Sequence, residues 1–258
     1  MSRVSKVVAA ALVLAPIPAL AQPACENLIV TGHPEYPPIG YATDGAIAGA
    51  GAMVVETLSA MFAVPVQPID FGSWEAAQAA ARSGEADIIF GIYYNDERAT
   101  YLDYVEPAFT LDPVVVFAPA GTLSAFSGRD DLIGLRGVTN QGESFGVELD
   151  AFIEESLDLA RVDGVDVAFQ TLLSGDADYM IFGLYPGLAE LRAAGVADQV
   201  DVLEPHLLEA EMFIAFSKES PCLSLIEPFG EAIATMRDNG EIDALIDLAD
   251  SQWLQLAF

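Results

Sequence analysis

The sequence predicts an α/β protein made of two similarly built lobes, and three observations carry that expectation. Short apolar strands alternate with segments of helical spacing along the chain, the pattern of units that feed a mainly parallel sheet. One passage occurs twice: Ser83-Gly84-Glu85-Ala86-Asp87-Ile88-Ile89-Phe90-Gly91-Ile92-Tyr93 returns as Ser174-Gly175-Asp176-Ala177-Asp178-Tyr179-Met180-Ile181-Phe182-Gly183-Leu184-Tyr185. Two apolar stretches, Val114–Phe117 and Met212–Phe216, stand where the chain would pass from one half to the other and back.

Leu28–Thr31 reads as a short strand, and Ala50–Phe62 has helical spacing with Met53, Leu58, Met61 and Phe62 on one side. Val66–Ile69 is a second strand, Trp74–Arg82 an Ala-rich helix stopped by Ser83-Gly84, and Asp87–Phe90 a strand apolar on both faces. The repeat gives the same grammar a second time, with a helical segment over Val167–Leu173 before its Gly. Gly suits the position just past a helix because it takes the left-handed conformation without strain. In open α/β sheets ligands bind beyond the carboxyl ends of the strands, so the segments after Phe90 and Phe182 are expected to wall one cleft. Pairing of the two crossings as a hinge gives residues 22–117 plus 213–258 as lobe one and 118–212 as lobe two.

The chain has 258 residues, 53% hydrophobic and 19% charged, with 10 Lys+Arg against 39 Asp+Glu. So many buriable side chains favour a folded core over disorder. A formal net charge of -29 excludes binding to nucleic acid phosphates or anionic lipid as a main role. No apolar run after the first 25 residues approaches the roughly 18–20 residues needed to span a bilayer. Arg3 and Lys6, the apolar stretch Val7–Ile17 and the small residues ending at Ala21 predict a signal peptide over residues 1–21. Lipid attachment at Cys25 is the alternative, although Gln22 stands where an aliphatic residue is expected. Export to a bacterial periplasm makes the even cysteine count meaningful: Cys25 and Cys222 are expected to pair, against the alternative of two unrelated buried thiols.

Several motifs in order resemble the bacterial extracellular solute-binding proteins of family 3. They are Gly32-His33-Pro34-Glu35-Tyr36-Pro37-Pro38-Ile39, Asp44–Gly49, Trp74 with its helix, Asn95-Asp96-Glu97-Arg98, Tyr104–Phe109, Gln141-Gly142-Glu143-Ser144, Ser220-Pro221-Cys222 and Met236–Gly240. The resemblance implies a type II periplasmic-binding-protein-like fold, two α/β lobes joined by two hinge strands with a ligand cleft between them. It also implies a monomer that captures a small polar solute, an amino acid or a related carboxylate, for the membrane permease of an ABC importer. A receptor serving a sensor kinase, or a related dehydratase or lyase, is the alternative role. The chain departs from the family in three places: the aspartate that meets a ligand ammonium corresponds to Gly183, the small polar residues after the lobe-one strand correspond to Gly91 and Tyr93, and Gly49 is followed by Ala50-Gly51 where the family has Phe-Asp.

The resemblance assigns Arg98 to a ligand carboxylate, a role suited to a fork-shaped guanidinium that stays charged when dehydrated; otherwise Arg98 would be a surface partner of Asp96 or Glu97. Tyr36, Trp74, Tyr93 and Tyr185 lie at element ends, where flat rings suit stacking on a ligand body. Gly91 lines the same wall, and Gly142, Glu143 and Ser144 are expected at a helix start, their N–H groups facing an anion. Gly142–Gly146 also spells G-x-S-x-G, with Asp178 and His206 following in the chain order of a serine hydrolase, but Val138–Gln141 is a poor buried strand for a nucleophile elbow. Two separated His and two paired Cys offer no metal spacing, and no cofactor motif is present.

Overall fold

The computed structural model describes residues 25–257; the signal peptide expected over residues 1–21 lies outside them. The chain runs β1 (Leu28–Gly32), β2 (Glu35–Tyr36), β3 (Gly40–Thr43), β4 (Ala46–Ala48), α1 (Ala50–Met61), β5 (Val66–Pro68), α2 (Trp74–Ser83), β6 (Ile88–Tyr93), β7 (Leu102–Tyr104) and β8 (Thr110–Pro119). It continues through β9 (Arg136–Asn140), α3 (Val147–Ser156), β10 (Asp158–Val162), α4 (Val165–Leu173), β11 (Tyr179–Gly183), α5 (Leu184–Ala193), β12 (Val200–Ser217), α6 (Ile226–Asp238) and α7 (Glu241–Ala257).

The main sheet has the order β10-β9-β11-β8-β12-β6-β1-β5, with β7 also on β12. It contains one topology twice. β5-β1-β6 and β10-β9-β11 are parallel trios, each with its first strand in the middle. Each trio is closed on its inner side by one long antiparallel strand, β12 on β6 and β8 on β11. β8 and β12 then pair with each other, so a single sheet runs through both lobes. The small sheet β2-β3-β4 sits on lobe one.

The repeated passage occupies matching places in the two trios. Ser73 Oγ caps α2 by accepting from the Ala76 N–H at 3.1 Å, and Gly84 ends it at φ 77°. Gly175 follows α4 at φ 81°. Asp87 then accepts the Ile29 N–H at 2.8 Å and Asp178 the Arg136 N–H at 2.9 Å. In each half the turn aspartate thus ties the third strand to the start of the first. Ile88, Ile89 and Phe90 in one copy, and Met180, Ile181 and Phe182 in the other, are fully buried, as central strands covered on both faces should be.

Val114–Phe117 pair with β11 and Met212–Phe216 with β6. The passage between the halves therefore lies at Thr110–Pro113 on β8, opposite Glu209–Met212 on β12. The β8–β12 register slips between Leu203 and Leu208, and such an irregularity bends and twists the strand that carries it.

Cys25 and Cys222 are bonded, with Cα atoms 4.9 Å apart, across 197 residues of sequence. Ser220 Oγ, which accepts the Cys222 N–H at 3.1 Å, donates to Asp87 Oδ1 at 2.7 Å. The C-terminal helices are thereby fastened to the start of β1. In the chain-entropy account so long a loop stabilises by about 4–5 kcal/mol. Replacing both cysteines by Ser should lower the guanidinium unfolding free energy by several kcal/mol, and reductant should do the same to the native protein but not to the double variant.

Candidate functional site

Arg98 has 2% of its surface exposed, a severe position for a charge that never titrates away. Its backbone N–H donates to Asn95 Oδ1 at 2.7 Å, which fixes the turn after β6. The guanidinium donates to Gln78 Oε1 at 3.1 Å, to the Tyr93 carbonyl at 3.1 Å and to the Gly142 carbonyl at 3.2 Å. The first two partners belong to lobe one and the third to lobe two. No carboxylate lies within ion-pair distance of it among the described residues: Glu97 is taken by Arg82. The surface pairing considered from sequence is therefore not formed, and the guanidinium sits at the lobe junction held only by neutral oxygens.

Around it the lobes meet through a polar seam. His33 Nδ1 accepts the Glu35 N–H at 3.0 Å, and Nε2 stands 3.0 Å from Glu143 Oε1. His33 and Glu143 are both buried. The His33 ring stacks on Trp74, centroids 5.0 Å apart at 18°, and Arg98 lies 5.5 Å from the Trp74 ring. Trp74 Cδ1 is 3.4 Å from where a Cβ on Gly142 would stand, and its Nε1 is buried without an acceptor. Asn140 Nδ2 lies 3.1 Å from His33 Nε2, Gln78 Nε2 donates to the Gly142 carbonyl at 3.3 Å, and Asn95 Nδ2 donates to Ser144 Oγ. At the mouth is a cavity of about 490 Å³ that Arg98, Arg82 and Arg161 share with Glu143 and Ser144. Arg161 donates to the Glu143 carbonyl at 2.7 Å.

Behind this seam lies a second cluster. Tyr36 Oη donates to Asp112 Oδ2 at 2.6 Å, Tyr93 Oη donates to the same oxygen at 3.0 Å, and the Tyr185 N–H reaches Oδ1 at 3.3 Å. Gly183 explains itself here: a Cβ on it would lie 2.1 Å from Tyr36 Oη and 2.3 Å from Asp112 Oδ2. The carboxylate at this place comes from hinge strand β8, not from position 183. Gly91, at φ 68°, faces Ile39, which leaves a side chain no room.

The structure thus brings Arg98, Tyr36, Trp74, Tyr93, Glu143 and Ser144 together. Tyr185 is split: its amide joins the Asp112 cluster, while its ring is half exposed on another surface. Gly142–Ser144 correct another expectation. Helix α3 starts at Val147 after Gly146, so these residues form a loop that presents the Gly142 carbonyl to the cleft, not N–H groups at a helix start. The hydrolase constellation is not assembled either. Ser144 Oγ donates to Asp150 at 2.5 Å, Asp178 holds Arg136, and His206 pairs with Glu209. His33, Asp112, Gln78, Asn95, Asn140 and Arg161 were missed. His33 lies inside a quoted motif, but nothing in the sequence signalled its partner 110 residues away.

A fold of two trios joined by two shared strands, closed over a buried guanidinium, defines a class: a two-lobed binding protein. The family model for bacterial extracellular solute-binding proteins, family 3, matches residues 28–249, and the chain belongs to that family. Among solved structures it is similar to a histidine kinase sensor domain with similarity to periplasmic binding proteins (21% identity, TM-score 0.72, 88% of this chain and 96% of that one). It is also similar to the amino acid ABC transporter substrate-binding protein AbpA from Streptococcus pneumoniae bound to L-arginine (19%, 0.72, 88% and 96%), and to the GluR0 ligand-binding core with L-glutamate (16%, 0.72, 88% and 98%). These likenesses show the fold. Among curated proteins no relative matches.

Burial raises the Asp112 carboxyl to about 6, against the pull of Tyr36, the Tyr185 amide and Tyr93. A folded pKa above the unfolded value means that the native state holds a proton the unfolded chain has lost between about pH 4 and 6. Stability therefore falls as pH rises through that window, by about 3 kcal/mol for a shift of this size, and levels off above it. Glu190, raised by burial and by Glu35 to about 7, acts with the same sign, so a comparison isolates Asp112. In urea titrations from pH 4 to 7, the stability difference between the native protein and Asp112→Asn should shift in favour of the variant up to about pH 6 and then stay constant.

Proposed function

We propose that the protein is an exported solute receptor that captures a small carboxylate-bearing solute, an amino acid or a relative of one, and hands it to the membrane permease of an ABC importer. The observation that carries this reading is the buried Arg98 guanidinium with no counter-ion among the described residues. Removing a charge from water is costly, and neutral carbonyls repay it only partly. A ligand carboxylate accepted in the bidentate fork supplies the missing charge. The Gly142 carbonyl, which takes one of those donors from across the junction, is the group such a carboxylate would displace or join.

Closure follows from the same contacts. A solute that touches Arg98 on lobe one and the Glu143–Ser144 loop on lobe two binds better when the lobes are together, and only that difference shifts the equilibrium. Tyr36 and Trp74 form the aromatic wall, and Asp112, behind the phenols, is the acidic group for a cationic end of the solute. The names of two neighbours print L-arginine and L-glutamate as bound molecules, which supports an amino acid for this chain. The sensor-domain neighbour favours a second reading, in which the closed receptor signals to a kinase. We read Glu143 as a latch on His33 and no catalytic acid.

A thermal-shift panel of L-glutamate, L-glutamine, L-arginine and succinate tests this. A solute at 100 times its Kd should stabilise the native protein by about 2.7 kcal/mol, without being consumed. Arg98→Lys keeps the charge but loses the fork and should weaken binding at least about tenfold, and Arg98→Ala should abolish it while circular dichroism shows both variants folded. Affinity unchanged in both folded variants would refute the assignment of Arg98.

A further inference from the structure

A second cavity, of about 540 Å³, lies between the lobes and shares no residue with the one at the cleft mouth. Its walls are one face of a helix from each lobe. α5 contributes Tyr185, Leu188 and Arg192, and α7 contributes Asp243, Ile246, Asp247 and Asp250. Spacings of three and four residues place each set on a single helical face. The walls are tied together by the Arg192–Asp250 ion pair at 3.2 Å. Ile39 and Leu111, beside the hinge, complete the apolar lining.

The size is that of a small-molecule site. The lining combines apolar side chains with an unequal charge balance: Arg192 is engaged by Asp250, while Asp243 and Asp247 have no ion-pair partner among the described residues. Tyr185 and Leu111, both in the lining, are 49% and 48% exposed. A flat aromatic face and an aliphatic one beside two free carboxylates match a compact apolar body carrying one ammonium group. An organic anion would meet those carboxylates and be repelled.

We propose that this cavity is a second ligand site, for a small amphipathic amine that binds between α5 and α7. Tyr185 links the site to the cleft. The Tyr185 ring lines the cavity, while its amide donates to Asp112, the acceptor of Tyr36 and Tyr93. Because the occupant touches both lobes, it favours the state in which α5 and α7 stand close. The proposal concerns a site other than the Arg98 cleft and does not rest on the function proposed above.

Isothermal titration calorimetry with 2-phenylethylamine as probe, and 3-phenylpropanoate as a control of similar shape and opposite charge, decides the matter. Saturable binding of the amine is expected, weakened about tenfold or more in Asp243→Asn/Asp247→Asn and lost in Leu188→Trp, which fills the cavity. Both substitutions fall on positions that are not fully buried, and circular dichroism checks that the variants fold. Amine binding retained in Arg98→Ala and weakened or lost in the cavity variants supports the proposal, and amine binding lost in Arg98→Ala places the probe in the cleft and overturns it. No saturable binding of the amine at millimolar concentration, equal binding of the propanoate, or an affinity indifferent to both cavity variants would also overturn it.

Discussion

A guanidinium stripped of water at the meeting of two lobes dictates much of what surrounds it. A buried guanidinium needs oxygens to meet its donors. Gln78 supplies one from one face of α2, Tyr93 through its carbonyl at the end of β6, and Gly142 from the opposite lobe. Asn95 holds the turn that aims the side chain. The partners are carbonyl dipoles and an amide, which stabilise the charge without neutralising it. The carboxylate of the proposed solute would complete that compensation, and one of the three oxygens it would join comes from across the gap.

The scaffold that sets this junction is a duplicated one. Each parallel trio buries its third strand beside a long antiparallel partner, and the two long strands are each other's neighbours. The ends of β6 and β11 therefore face a common space, with Tyr93 at one and Gly183 at the other. The β8–β12 register slips between Leu203 and Leu208 on the lobe-two side of the crossing. Asp112 sits on β8 at this crossing, so the cluster it forms with Tyr36 and Tyr93 belongs at once to the cleft floor and to the strand that joins the lobes.

Much of the candidate site was legible through the family resemblance, whose motifs carry Arg98 after Asn-Asp-Glu, Tyr36 before two prolines, Trp74 at a helix start, and Glu143 and Ser144 after a Gly. Asp112 lies outside those motifs. Before Pro113 at the head of an apolar strand it looks like an ordinary strand-edge residue, and only the β8–β11 pairing sets it beside Gly183 and under the phenols. His33 and Glu143, 110 residues apart, come together only where the two lobes meet, which no local pattern encodes. Tyr185 shows the opposite failure: its place in the repeat matched Tyr93, yet it is the second residue of α5, which turns its ring outward and leaves only its amide in the cluster.

Strand and helix periodicity and the Gly stops determined the two-lobed α/β plan, because each acts within a few residues: an apolar run buries a strand, and a left-handed Gly ends a helix. The cysteine pairing was equally readable, since two thiols in an oxidising compartment have one partner each. Contacts between lobes were decided only in three dimensions. The carbonyl that meets Arg98, the histidine that holds Glu143, and the carboxylate that fills the space at Gly183 all depend on the relative placement of surfaces far apart in the chain, where distances of a few tenths of an ångström separate a hydrogen bond from a clash.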